Sequence, residues 1–216
     1  MIWSLNELEA ETRKAIRGAG LSWGLAEEGS KAARWLAAHG VDPLPALSDI
    51  LERHDQRSIT DKITFTAAGR WHADAPMCPI ALGIALCDYA DRLEIGKVVA
   101  GPLARPLLLL PFVAAVARML KRPLQLDAGA MRVVMNERGD PSCDVSHFDV
   151  LDMSEIRCVV AAERSPAWQI RAATTHGIAT DPKSWQRIAS YVHRTYVPAS
   201  ERSRREGAGA GLIDND

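Results

Sequence analysis

Residues 124–137 read Leu-Gln-Leu-Asp-Ala-Gly-Ala-Met-Arg-Val-Val-Met-Asn-Glu. Two short runs, Leu124 to Asp127 and Met131 to Glu137, flank Ala-Gly-Ala, and a glycine between two such runs is the pattern of an antiparallel hairpin. Ile156 to Glu163 and Trp168 to Thr174 flank a Ser-Pro turn and predict a second hairpin. Ile95 to Ala100 is a further candidate strand. The strands therefore gather in the second half of the chain.

Working outward, the first half has a helical period. Ser4-Leu-Asn-Glu7 has the form of a capping box, in which serine and glutamate each satisfy an orphan backbone donor. Leu5, Leu8, Thr12, Ala15 and Ile16 then share one face of a helix that runs to about Arg17. Its acids precede its bases, which complements the helix dipole, and Gly18 is placed to end it. Ser22 can cap a second helix with Leu25, Gly29, Ala32 and Leu36 on its face and Gly40 closing it. Asp42-Pro43 reads as an N-cap followed by a first-turn proline, opening a short third helix that carries Leu44, Leu47, Ile50, Leu51 and His54.

Residues 55–76 lack a period and read as a loop, and Pro79 to Arg92 as an apolar helix. Pro106 to Lys121 fits either a helix kinked at Pro111 or a strand followed by a helix. Asp181-Pro182 starts a last helix with Trp185, Ile188, Ala189, Val192 and Tyr196 on its face. Helices first and strands later predict an α+β fold, with an N-terminal helical layer on a mainly antiparallel sheet, a C-terminal helix and a Gly-rich tail. No long polar linker divides the chain, so residues 1–216 are expected to form one domain. Its helical layer spans about 1–54, its sheet-containing part about 77–196 and its tail 197–216.

Composition narrows the function classes. With 47% apolar and 25% charged residues the chain is an ordinary globular protein, and a net charge of −1 provides no broad electrostatic footprint for nucleic acid or an anionic membrane. The longest apolar run, Leu107 to Ala117, is too short to span a bilayer. The start, Met-Ile-Trp-Ser-Leu-Asn-Glu, lacks a basic region ahead of an apolar stretch, so the cytoplasm is the expected location. The cysteines Cys78, Cys87, Cys143 and Cys158 have no CxxC spacing and read as reduced thiols.

Two glycine-rich stretches carry the functional expectation. In the first, Gly18 to Gly29, Arg17 precedes the turn, free backbone donors near Ser22 could bind an anion, and Trp23 offers an apolar wall. The same residues also read as a glycine C-cap and a serine N-cap with Glu27 and Glu28 on the helix dipole. The glycines lack the preceding strand and the spacing of a dinucleotide fingerprint, so no cofactor is assigned. Before the last stretch, Gly207 to Asp216, stand Arg194, Ser200, Arg202 and Arg204, whose guanidinium groups could fork onto a carboxylate or phosphate. Asp214 and Asp216 supply hard oxygen atoms, but too few ligands accompany them to predict a metal. Cys143, His147 and Asp149, and Trp71-His72 with Asp74, are weaker clusters with plain structural readings.

The strings Arg17 to Glu28, Arg194 to Arg204 and Gly207 to Asp216 resemble the terminal signatures of an uncharacterised bacterial family, domain of unknown function 3726. The resemblance implies no activity; it implies that the tail folds back toward the first glycine turn. The reading that follows is an enzyme or binding protein for an anionic small molecule, with its site between the two terminal segments. Arg17, Ser22, Trp23, Arg194, Ser200 and Arg204 would hold the anion, and Glu27 or Asp214 would serve as the catalytic, proton-transfer group. The alternative is a noncatalytic assembly or partner-binding module, in which the terminal segments seal a contact in a homo-oligomer.

Overall fold

The structure, a computed structural model, describes residues 2–66, 69–143, 145–161 and 177–196. It has the expected α+β architecture. In chain order the elements are β1 (Ile2–Trp3), α1 (Leu5–Gly18), α2 (Trp23–Ala38), α3 (Leu44–Asp55), β2 (Thr64–Phe65) and β3 (Arg70–His72). Then come α4 (Pro79–Asp88), α5 (Arg92–Ile95), β4 (Lys97–Ala100), β5 (Leu103–Ala104), α6 (Leu110–Leu120), β6 (Leu124–Ala128) and β7 (Met131–Met135). Last are β8 (Asp152–Met153), β9 (Ile156–Val160), β10 (Ile178–Ala179) and α7 (Pro182–His193).

Helix α1 begins as its sequence dictates. Ser4 Oγ accepts from the Glu7 N–H at 3.2 Å while the Glu7 carboxylate accepts from the Ser4 N–H at 3.0 Å, completing the capping box. Leu5, Leu8, Ala15 and Ile16 are buried against the core. Gly18 does more than end the helix. A Cβ built there would lie 1.8 Å from the Tyr191 carbonyl oxygen, so only a residue without one lets α1 press onto α7. Around this contact the N-terminal helical layer and the last described elements are joined repeatedly. Ile2 and Trp3 pair with Ala179 and Ile178, Trp3 packs on Trp185 at 4.4 Å, Asp42 accepts from the Asp181 N–H at 2.8 Å, and Arg194 forks onto Asp55 at 3.0 and 2.8 Å. The C-terminal helix thus belongs to the N-terminal helical layer.

The main sheet has the order β2-β3-β4-β9-β6-β7, with β3 and β4 parallel and every other pair antiparallel. The expected hairpin is β6–β7, in register Leu124 to Met135 and Ala128 to Met131. The second expected hairpin is corrected. Both edges of β9 are taken, by β4 on one side and β6 on the other, because Ile156 and Cys158 fit a central, two-sided position. Residues 168–174 lie outside the described residues. The region expected to be a loop, 55–76, contains the β2–β3 hairpin, whose strands are too short to show a period. Pro111 neither kinks a helix nor ends a strand: a 3-10 turn over Pro106–Leu109 leads into α6, where the proline occupies the first turn and its missing N–H costs nothing. The helix expected over 79–92 stops at Asp88, and Arg92 starts the separate turn α5.

An ionic network fastens α3 to the short β5–β8 pair. Asp49 accepts from Arg105 at 2.8 Å and from Arg53 at 2.9 Å, and these arginines continue to Asp149 at 3.2 Å and Asp152 at 2.6 Å. Cys78 and Cys158 are buried core thiols, as expected, and burial pushes them up to about 11 and about 12, while Cys87 and Cys143 are half-buried. The α1–α7 contact is testable. Gly18→Ala forces a Cβ into main-chain atoms and is expected to destabilise by about 1–3 kcal/mol in chemical denaturation. Gly24→Ala, with nothing within 4 Å of its Cβ, is expected to be neutral or stabilising by up to about 1 kcal/mol.

Candidate functional site

A cleft of about 560 Å³ opens where four separate parts of the chain converge. One wall is the capped start of α1, Ser4 to Asn6, and the next is the second half of α2, with Lys31, Arg34, Trp35 and His39. The others are Arg118 near the end of α6 and the turn Arg138–Asp140 after β7. That turn is built by Asn136, whose side-chain oxygen accepts from the N–H groups of Arg138 and Asp140 at 2.8 and 2.9 Å. Gly139 has φ +82°, and a Cβ there would meet Arg118 Nη1 at 2.6 Å and the Ala114 carbonyl at 2.8 Å. Glycine therefore seats the turn on α6 and brings Arg118 and Arg138 to one opening.

The cations of the cleft differ in how their charge is balanced. Lys31 lies 3.0 Å from Glu27 and 2.8 Å from Glu28, and Arg34 donates to Asn6 and stands 3.6 Å from Glu9. Arg118 and Arg138 have no carboxylate partner among the described residues. Asp140 is the acid beside them, and its carboxylate accepts from the Asn136 amide at 3.1 Å. The cleft therefore carries, beside Asp140, two guanidinium groups with no ion pair among the described residues, the side chain suited to forked recognition of carboxylate or phosphate.

His39 closes α2 at the back of this cleft. Its ring stacks on Trp35 with centroids 3.9 Å apart, and Nδ1 lies 2.8 Å from the Trp35 carbonyl oxygen. A carbonyl only accepts, so Nδ1 carries the hydrogen and the lone pair sits on Nε2. Nε2 is buried and has no hydrogen-bond partner among the described residues. Burial holds the imidazole below its ordinary range; the Trp35 carbonyl and Asp140 oppose that shift and Arg118 adds to it. The same histidine borders a second opening of about 410 Å³, lined by Asp42, Pro45, Ser146 and Asp149. There burial raises the Asp42 carboxyl, opposed by the Leu44 and Asp181 N–H groups it accepts from.

The residues expected from the sequence lie elsewhere. Arg17 donates to the Leu21 carbonyl and sits 4.5 Å above the Trp23 ring, and Ser22 caps α2 by accepting from the Leu25 N–H at 3.3 Å. These three are neighbours. Arg194 is committed to Asp55 and lies over the Tyr191 ring, and the Lys31 ammonium keeps the exposed Glu27 carboxyl below its ordinary range. Ser200, Arg204 and Asp214 lie outside the described residues. Among the described residues no three His, Cys, Asp or Glu side chains gather as metal ligands, and Cys143 instead contacts the Arg132 carbonyl at 3.7 Å while Asp149 pairs with Arg105. No helix among them is long and apolar enough to cross a membrane. His39, Arg118 and Arg138 were not singled out from the sequence; the one local signal was the Asn136-x-x-Gly139-Asp140 turn.

With this geometry in hand, comparison with known proteins is informative about family and fold. Residues 3–75 match the family described as "Protein of unknown function (DUF3726)", the family that the glycine-rich strings resemble. That segment covers α1, α2 and α3, and so contributes the α1 and α2 walls of the cleft. No curated protein matches. Among solved structures, a dehydrogenase from Sinorhizobium meliloti is similar with a TM-score of 0.56 and 9% identity, over 89% of this chain and 99% of that one. The malate dehydrogenase from Pyrococcus horikoshii OT3 is similar with a TM-score of 0.51 and 6% identity, over 89% of this chain and 90% of that one. At such identities the likeness concerns the fold alone.

The state of His39 has a consequence for stability. Its folded value lies below the unfolded value near 6.5, so on acidification the unfolded chain takes up a proton that the folded chain refuses, and stability falls as pH drops through that value. Thermal unfolding followed from about pH 7.5 to about pH 5.5 should show this loss, and His39→Gln should flatten it. An imidazole NMR titration should place His39 below the ordinary histidine range.

Proposed function

We propose that the chain is a small-molecule-binding protein whose ligand is an anion carrying a carboxylate or phosphate, held in the cleft between α1, α2, α6 and the Asn136–Asp140 turn. The observation that carries this reading is the convergence of Arg118 and Arg138, both without a carboxylate partner among the described residues, on a concave site that His39 also lines. Two guanidinium groups attract and orient the anion. His39 lines the same cleft, but its Nδ1 is taken by the Trp35 carbonyl and its Nε2 is buried, so recognition of the anion falls to the guanidinium groups. One of the fold neighbours is by name a malate dehydrogenase, and malate is an anion of this chemical kind. That likeness supports a small organic acid as the first class to test.

A second reading places the anion between the two terminal signatures, on Arg17, Ser22, Trp23 and Arg194, with Ser200, Arg204 and Asp214 from the tail. The contact of Gly18 with the end of α7 favours it, since that contact brings the first glycine turn beside Tyr191 and Thr195. Against it, Arg17 and Arg194 already spend their donors on Leu21 and Asp55.

One experiment separates the two. Short dicarboxylates and inorganic phosphate are titrated calorimetrically into the native protein and four variants. Arg118→Ala and Arg138→Ala are each expected to weaken binding roughly 10-fold or more, the worth of a charge-assisted hydrogen bond, while Arg17→Ala and Arg194→Ala leave it unchanged. The opposite pattern would transfer the site to the chain ends, and no heat with any anion would sink both.

A further inference from the structure

On the far edge of the main sheet, away from the cleft, the β2–β3 hairpin meets the end of α4. Three aromatic rings come together there: Phe65 and Trp71 with centroids 5.0 Å apart and planes at 85°, Phe65 and Tyr89 at 5.0 Å and 47°, and Trp71 and Tyr89 at 6.1 Å and 74°. Packing accounts for Trp71, which is 2% exposed and joins the core from β3. It does not account for the other two. Phe65 is 44% and Tyr89 42% exposed, although burying such rings is strongly favourable. Beside this cluster, which forms one wall of it, lies a pocket of about 190 Å³ whose rim is completed by Thr66, Gly69 and Arg92.

Arg92 gives the pocket its chemistry. It is exposed, and its guanidinium has no ion pair among the described residues. Gly69 lets the rim close: it has φ +74°, and a Cβ there would lie 2.6 Å from the Lys97 carbonyl oxygen. Aromatic walls accept a planar ring edge-on or offset-stacked, whereas a cationic group would be repelled by Arg92. A saturated ring of the same size lacks both the flat shape and the edge charge that these walls complement. The volume admits one ring with one substituent.

We infer that the Phe65–Trp71–Tyr89 pocket is a binding site for a single planar aromatic or heteroaromatic ring bearing an acidic substituent, the ring held against the exposed faces of Phe65 and Tyr89, with Trp71 fixing them from the core, and the acid held by Arg92. It is a second site, independent of the cleft. It places on one molecule a subsite for a flat, acid-bearing ring and, separately, the anion cleft built on Arg118 and Arg138.

Benzoate is the probe, with cyclohexanecarboxylate (the same charge, no π face) and benzyl alcohol (the ring, no charge) as comparators. Binding is followed by protein NMR shifts on the full chain. Benzoate should shift the indole signal of Trp71 and the backbone signals of Tyr89 and Arg92 saturably, and bind at least about 10-fold more tightly than either comparator. Arg92→Gln should weaken benzoate to the level of benzyl alcohol, and Tyr89→Leu to the level of cyclohexanecarboxylate; both positions are exposed, so folding is expected to survive and is checked by the same spectra. The readout is local: benzoate that also enters the cleft shifts signals at Arg118 and Arg138, whereas shifts at Trp71, Tyr89 and Arg92 report this pocket alone, which keeps its outcome separate from that of the cleft. No saturable shift at millimolar benzoate, equal affinity for the three probes, or insensitivity to both variants would overturn the assignment.

Discussion

The closeness of Gly18 to the Tyr191 carbonyl is the constraint on which the rest of the molecule depends. Any side chain at that position would separate α1 from α7 by the thickness of a methyl group, and α7 would lose its seat on the helical layer. The neighbouring links share that geometry. The β1–β10 pair, the Trp3–Trp185 contact, the Asp42 bond to Asp181 and the Arg194 fork on Asp55 all span the same two regions of sequence. Individually the exposed pairs contribute little, since solvent screens them. Their value lies in direction: they fix how α1 lies, and α1 in turn carries Ser4 to Asn6 into the wall of the cleft.

The cleft itself illustrates how charge acquires function from what is not nearby. The chain has 26 basic and 27 acidic residues, and while several cations, Arg57 and Arg122 among them, have no ion pair among the described residues, others have more than one acidic partner. Lys31 has two, and Arg53 and Arg105 share Asp49 with further acids beyond. Arg118 and Arg138 stand apart because the Gly139 turn brings them together at one opening, beside Asp140, without an ion pair among the described residues. His39 differs from an ordinary surface histidine for a related reason. Its Nδ1 is occupied by the carbonyl one turn back in α2, and burial favours the neutral ring, which leaves the Nε2 lone pair buried without a partner among the described residues.

Local features of the fold were legible wherever a short stretch of chain could satisfy itself. The capping box at Ser4, the serine cap at Ser22 and the β6–β7 hairpin each depend on residues fewer than about a dozen positions apart, and each is where the sequence places it. Legibility failed where pairing is long-range. The β2–β3 strands are two and three residues long and carry no period, and β9 finds its partners some 30 and 60 positions earlier in the chain rather than in the segment after it. The site was less legible still. Its walls come from residues 4–6, 31–39, 118 and 138–140, and Arg118 in isolation looks like nothing more than the end of an apolar run.

The sequence by itself determined the class of fold, the starts of α1, α2 and α7 and the place of the first glycine turn. Caps, periodicity and composition act within a turn or two of chain, so they can be read from neighbours. What the tertiary structure alone decided was the purpose of that turn and the place of the cleft. Gly18 ends a helix in either account, but only packing shows that its missing Cβ admits the Tyr191 carbonyl. The reason is physical: a close approach, a charge without an ion pair and an orphaned lone pair are properties of distances between remote residues, and those distances do not exist until the chain has closed on itself.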